Sequence, residues 1–266
     1  MADPPGNAGP PLIVEGLVIR YGSVVAVDGL SLRVRPGEIY GLLGSNGAGK
    51  SSTIKALVGL IKPSAGTLRV TGLDPSQHPL EVKGRVGYVP ETPLLYDALS
   101  PREFLEFVGS IRRIDPTALA RRAQEFADAL QITSDMDRPL ATLSNGTRQK
   151  VLLMVAFLHL PALLVLDEPF NNLDPRSVRI MKDLLQSYVK DGRRAALFST
   201  HTVEVAQQLC HRMGILDHGK LTGEGTFLEL KQQAALPEGS LEEVYLTLTS
   251  EQESVARAVR LLGEEA

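Results

Sequence analysis

Runs of consecutive apolar residues alternate along the chain with stretches in which apolar residues recur every three or four positions. Short apolar runs are typical of strands buried within a sheet, and strict alternation is typical of a strand with one exposed face. Leu30, Leu32 and Val34 alternate with polar residues in this second way. The pattern predicts strands at 12–20, 30–35, 39–43, 67–70, 86–89, 163–166, 195–199, 213–216 and 220–222.

Capping residues followed by helically spaced apolar positions mark the helix starts. Ser100 and Glu103 form a capping box around Pro101, and a second box joins Ser240 to Glu243. Asp-Pro pairs at 115–116 and 174–175 open two more helices, and another is predicted over about 202–211. A helix is also predicted from near residue 50, because apolar residues there share one face: Ile54, Leu57, Val58 and Ile61.

Strands that alternate with helices predict an α/β fold with a largely parallel sheet covered by helices on both faces. Residues 92–160 depart from this alternation because they are mostly helical. We therefore predict a flexible tail at 1–11, a core formed by 12–91 and 161–230, an inserted helical subdomain at 92–160, and a C-terminal helical extension at 231–266.

Composition and charge exclude several classes of protein. The 266 residues are 43% hydrophobic, which allows a sizeable core, and the net charge of −3 provides no basic field for nucleic acid. The single cysteine, Cys210, excludes an internal disulfide and suits a reducing compartment. The longest apolar stretch, 151–166, is interrupted and shorter than the about 20 residues of a membrane span. We expect a soluble protein whose membrane role, if any, requires a partner.

The segment 44–51 fits the phosphate-loop pattern G-x-x-x-x-G-K-[ST] at every fixed position. A predicted buried strand precedes it and a predicted helix follows it, which is the context that this pattern requires. Glycines let backbone N–H groups converge on phosphate oxygens, and the helix N-terminus adds a partial positive charge. Lys50 is expected to reach the β- and γ-phosphates, and the Ser51 hydroxyl to ligate Mg²⁺.

Two acids end the predicted strand at 163–166. Asp167 is placed to reach a Mg²⁺ ion through water, and Glu168 to orient an attacking water or accept its proton. Two solvated acids at a strand end are an equally good interpretation when this segment is taken alone. Together with the phosphate loop, the catalytic interpretation is favoured.

Two further features leave alternatives open. Ser144 or Asn145 either caps the apolar helix that follows or presents a second phosphate cradle, and the cap is favoured for this segment alone. Tyr21 either packs at the surface or stacks on a nucleobase, and packing is favoured without further support.

The ordered set of motifs over about 12–230 resembles the ATP-binding subunits of ABC (ATP-binding cassette) transporters. Residues 44–51 match Walker A, 163–168 match Walker B, and 143–150 are similar to the signature sequence Leu-Ser-Gly-Gly-Gln. Residues 172–174 resemble the D-loop, His201 resembles the switch histidine, and Glu91 falls where the family has its Gln loop. The resemblance implies a P-loop ATPase core with an N-terminal antiparallel β subdomain and an inserted α-helical subdomain.

The resemblance also implies roles for individual residues. Catalysis would involve Glu168, His201, Lys50 and Glu91, and Mg²⁺ would be held by Ser51, Asp167 and Glu91. Tyr21 would stack on adenine, which reverses the first interpretation of that residue. The ATP-binding set would comprise Tyr21, Gly44, Ser45, Asn46, Gly47, Ala48, Gly49, Lys50, Ser51, Ser52, Ser144, Gly146 and Asp174.

The resemblance implies two kinds of partner. A second ATP-binding subunit would pair head to tail with this chain, so that Ser144 and Gly146 contact the ATP held by the other subunit. Separate membrane permease subunits would be contacted by the helical subdomain and the segment 91–107. The chain would then lie in the cytoplasm, peripherally on the inner face of the membrane. The Pro-Glu pair at 90–91 and the segments 201–225 and 240–248 most resemble ABC-2-type exporter ATPases.

Three departures from the family pattern affect the expected site. Glu91 stands where Gln is usual, and Asn145 and Asn172 stand where Gly is usual. Asn is a good helix cap, so the change at 145 is compatible with a helix start. We expect an active ATPase because the principal chemical groups are retained: Lys50, Asp167, Glu168 and His201.

Three alternative functions differ in what they require of the sequence. A soluble ABC ATPase acting on nucleic acid or ribosomes usually has two cassettes or a long coiled coil, and neither pattern is present. A regulatory nucleotide-binding subunit would not need Glu168 and His201. A small-molecule kinase would not need residues 144–150. The sequence favours an ATPase subunit that powers transport, with export as the expected direction.

Overall fold

The computed structural model describes residues 9–249, so most of the predicted tail and residues 250–266 of the predicted extension lie outside the described part. In chain order the strands are β1 (Leu12–Tyr21), β2 (Val24–Val34), β3 (Ile39–Leu43), β4 (Ala65–Val70), β5 (Val86–Val89), β6 (Leu163–Asp167), β7 (Ala195–Thr200), β8 (Arg212–Asp217) and β9 (Lys220–Gly225). The helices are α1 (Lys50–Leu57), α2 (Pro79–Arg85), α3 (Pro101–Ile111), α4 (Pro116–Ala129), α5 (Asn145–Phe157), α6 (Pro175–Val189), α7 (Val203–Leu209), α8 (Phe227–Gln233) and α9 (Leu241–Leu248).

The larger sheet has the strand order β5-β6-β7-β3-β8-β9, and its first five strands run parallel. Strand β9 returns antiparallel to β8 through the turn at 218–219. In register, Leu43 pairs with Thr200 and Asp167 pairs with Ser199, so β3, β6 and β7 end at the same edge. A ligand site is expected at this edge, outside the carboxyl ends of parallel strands.

The smaller sheet is antiparallel, with the order β2-β1-β4. Its inward side chains join α1 and the inner face of the larger sheet in one hydrophobic core. Strand β2 begins at Val24, so the predicted strand at 30–35 covered only its second half. The short apolar run at 24–27 is itself a strand signal, and it was overlooked in the sequence. The predicted α/β fold with this second antiparallel sheet is confirmed.

Side chains cap most of the helices at the predicted starts. The capping boxes of Ser100 with Glu103 and of Ser240 with Glu243 are both formed, and Asp115 caps α4. Helix α1 ends at Leu57 because Gly59 follows with a φ of +68°, a backbone conformation that terminates helices. The prediction that Ile61 belongs to this helix was therefore wrong. The short helices α2 and α8 were not predicted.

Helices α3, α4 and α5 pack around a hydrophobic cluster of their own, which includes Leu105, Leu119 and Met154. Helix α9 packs through Leu241 and Val244 against α7 and β8. Within residues 9–249 no helix is long and apolar enough to cross a membrane.

Candidate active site

A cavity of about 290 Å³ lies at the carboxyl edge of β3 and β6, beside the N-terminus of α1. The cavity is lined by most of the predicted phosphate loop, by the residue that follows β6, and by the second residue after β5. The lining residues are Ala26, Ser45, Asn46, Gly47, Gly49, Lys50, Ser51, Ser52, Glu91 and Glu168.

The loop that precedes α1 is shaped by close backbone packing. Gly49 has a φ of +106°, and a Cβ atom there would collide with the carbonyl oxygen of Ala26. Two loop residues support the cavity from beneath rather than lining it. The Ala48 side chain is buried in the core, and the Gly44 N–H donates a hydrogen bond to the Thr200 carbonyl at 3.3 Å.

Within the described part of the chain, no side chain caps the N-terminus of α1. The six helices α3, α4, α5, α6, α8 and α9 each have a serine, threonine or aspartate that accepts a hydrogen bond from the first turn. The first-turn N–H groups of α1 therefore depend on another acceptor, and the residues that carry them line the cavity. Such a helix start favours a phosphate group.

The Lys50 ammonium is buried at the floor of the cavity. It donates hydrogen bonds to the carbonyl oxygens of Gly44 at 2.7 Å and Ser45 at 3.1 Å. Its nitrogen also lies 3.4 Å from Oε1 of Glu168. These contacts hold the ammonium between the phosphate loop and the acid that follows β6.

Asp167 is fixed by two hydroxyl groups. Ser199 on β7 donates to its Oδ1 at 2.6 Å, and Ser51 donates to the same oxygen at 3.2 Å. Burial raises the pKa of Asp167, and these two hydrogen bonds partly offset the rise. Ser199 also accepts a hydrogen bond from the Glu168 N–H at 3.0 Å, so one hydroxyl orients both acids.

Glu168 has a φ of +47°, a left-handed backbone conformation that is uncommon for a non-glycine residue. Its Oε1 atom is buried and, among the described residues, has no partner with hydrogen-bond geometry. The same atom lies 3.0 Å from Nδ1 of His201, whose side chain is half exposed. The acid is thus held by two basic groups, Lys50 and His201, and keeps unused capacity to accept a hydrogen bond.

The donor set at this edge fits a Mg²⁺ ion that is bound together with a phosphate ligand. Mg²⁺ prefers hard oxygen donors and is commonly held by one or two carboxylates, water and substrate phosphates. The Ser51 hydroxyl and the Asp167 carboxylate supply such donors side by side, and Glu91 is exposed on the cavity wall. Within residues 9–249 no group of three or more His, Cys, Asp or Glu side chains could hold a metal ion by itself.

Several predicted site residues lie outside this cavity. Tyr21 ends β1 with a side chain that is 48% exposed, and it does not line the cavity. Ser144 caps α5 by accepting from the Thr147 N–H, as the structural interpretation predicted. Gly146 follows it in the first turn of α5, and Asp174 caps α6.

The carboxylate of Asp174 is fully engaged within the chain. It accepts hydrogen bonds from the N–H and the hydroxyl of Ser177 and lies 3.1 Å from the Lys150 ammonium. The Ser177 contacts, with a smaller contribution from Lys150, hold its pKa far below the ordinary range. Asp174 therefore joins α5 to the loop between β6 and α6.

One residue of the site was missed from the sequence. Ser199 appeared only as the last residue of an apolar run, and its contact with Asp167 depends on β7 lying beside β6. The available signal was a hydroxyl at the carboxyl end of a buried strand, the position at which Asp167 also stands.

The fold and the site define a P-loop ATPase. The family model described as "ABC transporter" matches residues 27–171. The ABC-type transporter ATP-binding protein EcsA of Bacillus subtilis is 32% identical over 240 residues, covering 90% of this chain and 97% of EcsA. The daunorubicin/doxorubicin resistance ATP-binding protein DrrA of Streptomyces peucetius is 36% identical over 261 residues, covering 97% of this chain and 77% of DrrA.

Two solved structures of ABC transporter subunits are similar to this chain. The structure titled "Structure of ATP binding subunit of ABC transporter" has a TM-score of 0.85 and 31% identity, covering 90% of this chain and 99% of that one. The structure of cbiO1 from Clostridium perfringens, with a TM-score of 0.72 and 22% identity, shares the fold. The chain belongs to the ABC transporter family, as an ATP-binding subunit that hydrolyses ATP to power transport. The predicted family, fold class and ATPase activity are confirmed.

Proposed function

We propose that this chain energises export by binding Mg·ATP in the described cavity and hydrolysing it with Glu168 as the catalytic carboxylate. The observation that carries the proposal is the buried Oε1 atom of Glu168, which lies against Lys50 and His201 and has no partner with hydrogen-bond geometry among residues 9–249. A carboxylate oriented in this way can accept a hydrogen bond from a water molecule at the cavity and take its proton.

Each part of the cavity has a separate task in this proposal. The phosphate loop and the α1 N-terminus bind the phosphates through N–H groups, and Lys50 pairs with the β- and γ-phosphates. Ser51 and Asp167 would hold Mg²⁺, and Glu91 lines the same cavity. The bound ion would neutralise charge on the phosphate oxygens. Ser199 fixes the Asp167 carboxylate, and His201 holds Glu168 at the γ-phosphate end.

A second copy of the cassette completes the site in this proposal. Ser144 and Gly146 form the start of a helix that could face phosphate, but they lie outside the cavity of their own chain. We infer that they contact the ATP bound by a partner subunit, together with the segment around Asp174. Tyr21 is proposed to stack on the adenine, since its exposed ring is free to meet a base.

The surface proposed to meet the permease lies along 91–107. It exposes Leu94 (76%), Tyr96 (59%) and Phe107 (42%), and Tyr96 packs edge-on against the Phe107 ring. Exposed apolar side chains in one continuous segment mark a protein contact rather than a solvated loop. We place the chain in the cytoplasm, on the inner face of the membrane that holds the permease.

Export is the proposed direction because one relative is named for export and two others are named for drug resistance or antibiotic transport. DrrA is named for drug resistance, and the Nod factor export ATP-binding protein I of Ralstonia nicotianae is 34% identical over 230 residues. The bacitracin transport ATP-binding protein BcrA of Bacillus licheniformis is 35% identical over 213 residues.

Glu168→Gln tests the catalytic assignment. Loss of the carboxylate should lower ATP turnover by at least about 100-fold, the range of positioned base catalysis, while leaving ATP affinity within a few-fold. Turnover is measured by phosphate release and affinity by equilibrium binding. Glu204→Gln, an exposed glutamate on α7, is the matched control and should retain full turnover. Unchanged turnover in Glu168→Gln would remove this residue from the catalytic role.

Affinity purification of the tagged chain from native membranes tests the partner. An integral membrane protein should co-purify in a stoichiometric complex. Purification of the chain without any membrane protein would contradict the assignment to a transporter with separate permease subunits.

A further inference from the structure

A second cavity, of about 240 Å³, lies between the end of α1, α2, β5, α3 and α5. We call it the Arg112 pocket. Its walls are mostly apolar, with two basic residues among them. The lining consists of Val58, Leu60, Lys83, Val86, Tyr88, Arg112, Val155 and Ala156.

The Arg112 guanidinium is partly buried in this pocket, and no described residue gives it a carboxylate partner. Its one hydrogen bond within residues 9–249 goes to the carbonyl oxygen of Lys83 at 3.1 Å, and no Asp or Glu of that part lies within ion-pair distance. Arg212, which is also partly buried, lies 3.3 Å from Glu38 and 2.7 Å from Glu224. A buried cation is costly unless it is paired.

The groups that surround Arg112 add positive charge or are neutral. Lys83 is exposed and forms no ion pair with any described residue. Burial and the neighbouring Arg112 lower the pKa of His159 to about 4, so His159 is neutral at physiological pH. Its Nε2 contacts the Val86 carbonyl oxygen at 3.2 Å. Burial raises the pKa of Tyr88 to about 12, so its phenol is also neutral.

Helix α3 connects the pocket to the surface proposed to meet the permease. Helix α3 carries Phe107 of that surface and ends at Ile111, which is 66% exposed and directly precedes Arg112. Leu60, which is 54% exposed, forms part of the pocket rim. An apolar rim around an unpaired, partly desolvated cation complements a segment that is apolar apart from one carboxylate.

We propose that Arg112, supported by Lys83, selects the permease by pairing with a carboxylate on an otherwise apolar cytoplasmic segment of that subunit. The inference rests on the proposed transport function and adds the chemistry by which the partner is recognised. Arg112 acts in binding the permease and not in ATP hydrolysis, because it lines a cavity separate from the phosphate loop.

The test uses the complex of this chain with the permease that co-purifies with it. Arg112→Glu should weaken the complex by at least about 30-fold, the range expected when one member of a desolvated charge pair is lost. Arg112→Gln should weaken it in the same direction. Arg113→Glu makes the same change of charge at an exposed neighbouring residue and should leave the affinity for the permease unchanged. Basal ATPase of the isolated chain should be the same in all three variants.

Charge reversal identifies the partner acid. Each Asp and Glu in the cytoplasmic segments of the permease is replaced by Arg and combined with Arg112→Glu. One such replacement should restore the complex, which a purely structural role of Arg112 would not allow. Full affinity of Arg112→Glu, with the permease still bound, would overturn the inference while leaving the transport function intact.

Two other occupants of the pocket would also overturn the inference. If the isolated chain binds phosphatidylglycerol vesicles but not phosphatidylcholine vesicles, and Arg112→Glu abolishes this binding, the pocket recognises lipid. If succinate or inorganic phosphate raises the unfolding temperature of the isolated chain in an Arg112-dependent way, it recognises a small anion. Failure of any permease to co-purify would instead contradict the transport function itself.

Discussion

At the scale of single residues, the site combines groups that sequence motifs identify with one that they do not. Lys50, Ser51, Asp167 and Glu168 were all predicted, because each occupies a fixed position in a motif whose chemistry is known. Ser199 was not, because its role follows from the order of strands in the sheet. The left-handed backbone of Glu168 was also invisible in the sequence, and such strain costs of order 1–3 kcal/mol.

Gly49→Ala tests the shape of the phosphate loop. The added methyl group would meet the carbonyl oxygen of Ala26 in a backbone conformation that alanine disfavours. We expect the ATP affinity to fall by at least about tenfold, which corresponds to about 1.4 kcal/mol of binding free energy. Gly72→Ala, at another positive φ but in open space, is the control for strain alone and should bind ATP normally. Equal ATP affinities in the two variants would refute the role of close packing at Gly49.

Tyr21→Ala tests the proposed adenine contact. Stacking of a base on an aromatic ring contributes about 1–3 kcal/mol, so ATP affinity should fall by about 5- to 150-fold. Tyr21→Phe keeps the ring and should bind ATP as the unaltered chain does. Equilibrium binding of a fluorescent ATP analogue measures both. An unchanged affinity in Tyr21→Ala would return Tyr21 to a surface role.

At the scale of elements, helix starts were predicted well and short helices were not. The capping boxes at Ser100 and Ser240 are local patterns of four residues, and both formed as predicted. Helix α2 has seven residues and too few apolar positions to show a helical period. Helix α8 is equally short, but it opens on a capping box of Thr226 with Glu229, a local signal that was available in the sequence and was missed. Helix α2 has no side-chain cap and is held by packing against β5, which a local pattern does not encode.

Ser240→Ala tests the contribution of a cap to the C-terminal element. The Ser240 hydroxyl accepts from the Glu243 N–H at 3.2 Å, and the Glu243 carboxylate accepts from the Ser240 N–H at 2.7 Å. Loss of the cap should destabilise α9 by about 1 kcal/mol, seen as faster amide hydrogen exchange over Leu241–Leu248. Ser240→Asp retains a cap and should protect these amides as before. Equal exchange in Ser240→Ala would show that packing of Leu241 alone holds the helix.

At the scale of the whole molecule, two helix starts suited to phosphate lie in different places. The α1 start lines the cavity, and the α5 start, with Ser144, does not. Two contacts within the chain hold α5 against the loop after β6. The Gln149 amide donates a hydrogen bond to the Pro169 carbonyl at 3.3 Å, and Lys150 forms an ion pair with Asp174. A partner that binds ATP against Ser144 would therefore also press on the loop that carries Glu168. In the proposed shared site, ATP binding and subunit association would be one event.

The oligomeric state of the Glu168→Gln chain tests this shared site most directly. With Mg²⁺ and ATP the chain should sediment as a dimer, because bound ATP persists, and with ADP it should sediment as a monomer. Adding Ser144→Arg to Glu168→Gln should abolish the dimer without weakening ATP binding by the monomer. A chain that stays monomeric at saturating ATP, or dimerises equally with no nucleotide, would contradict the claim that two subunits share each ATP.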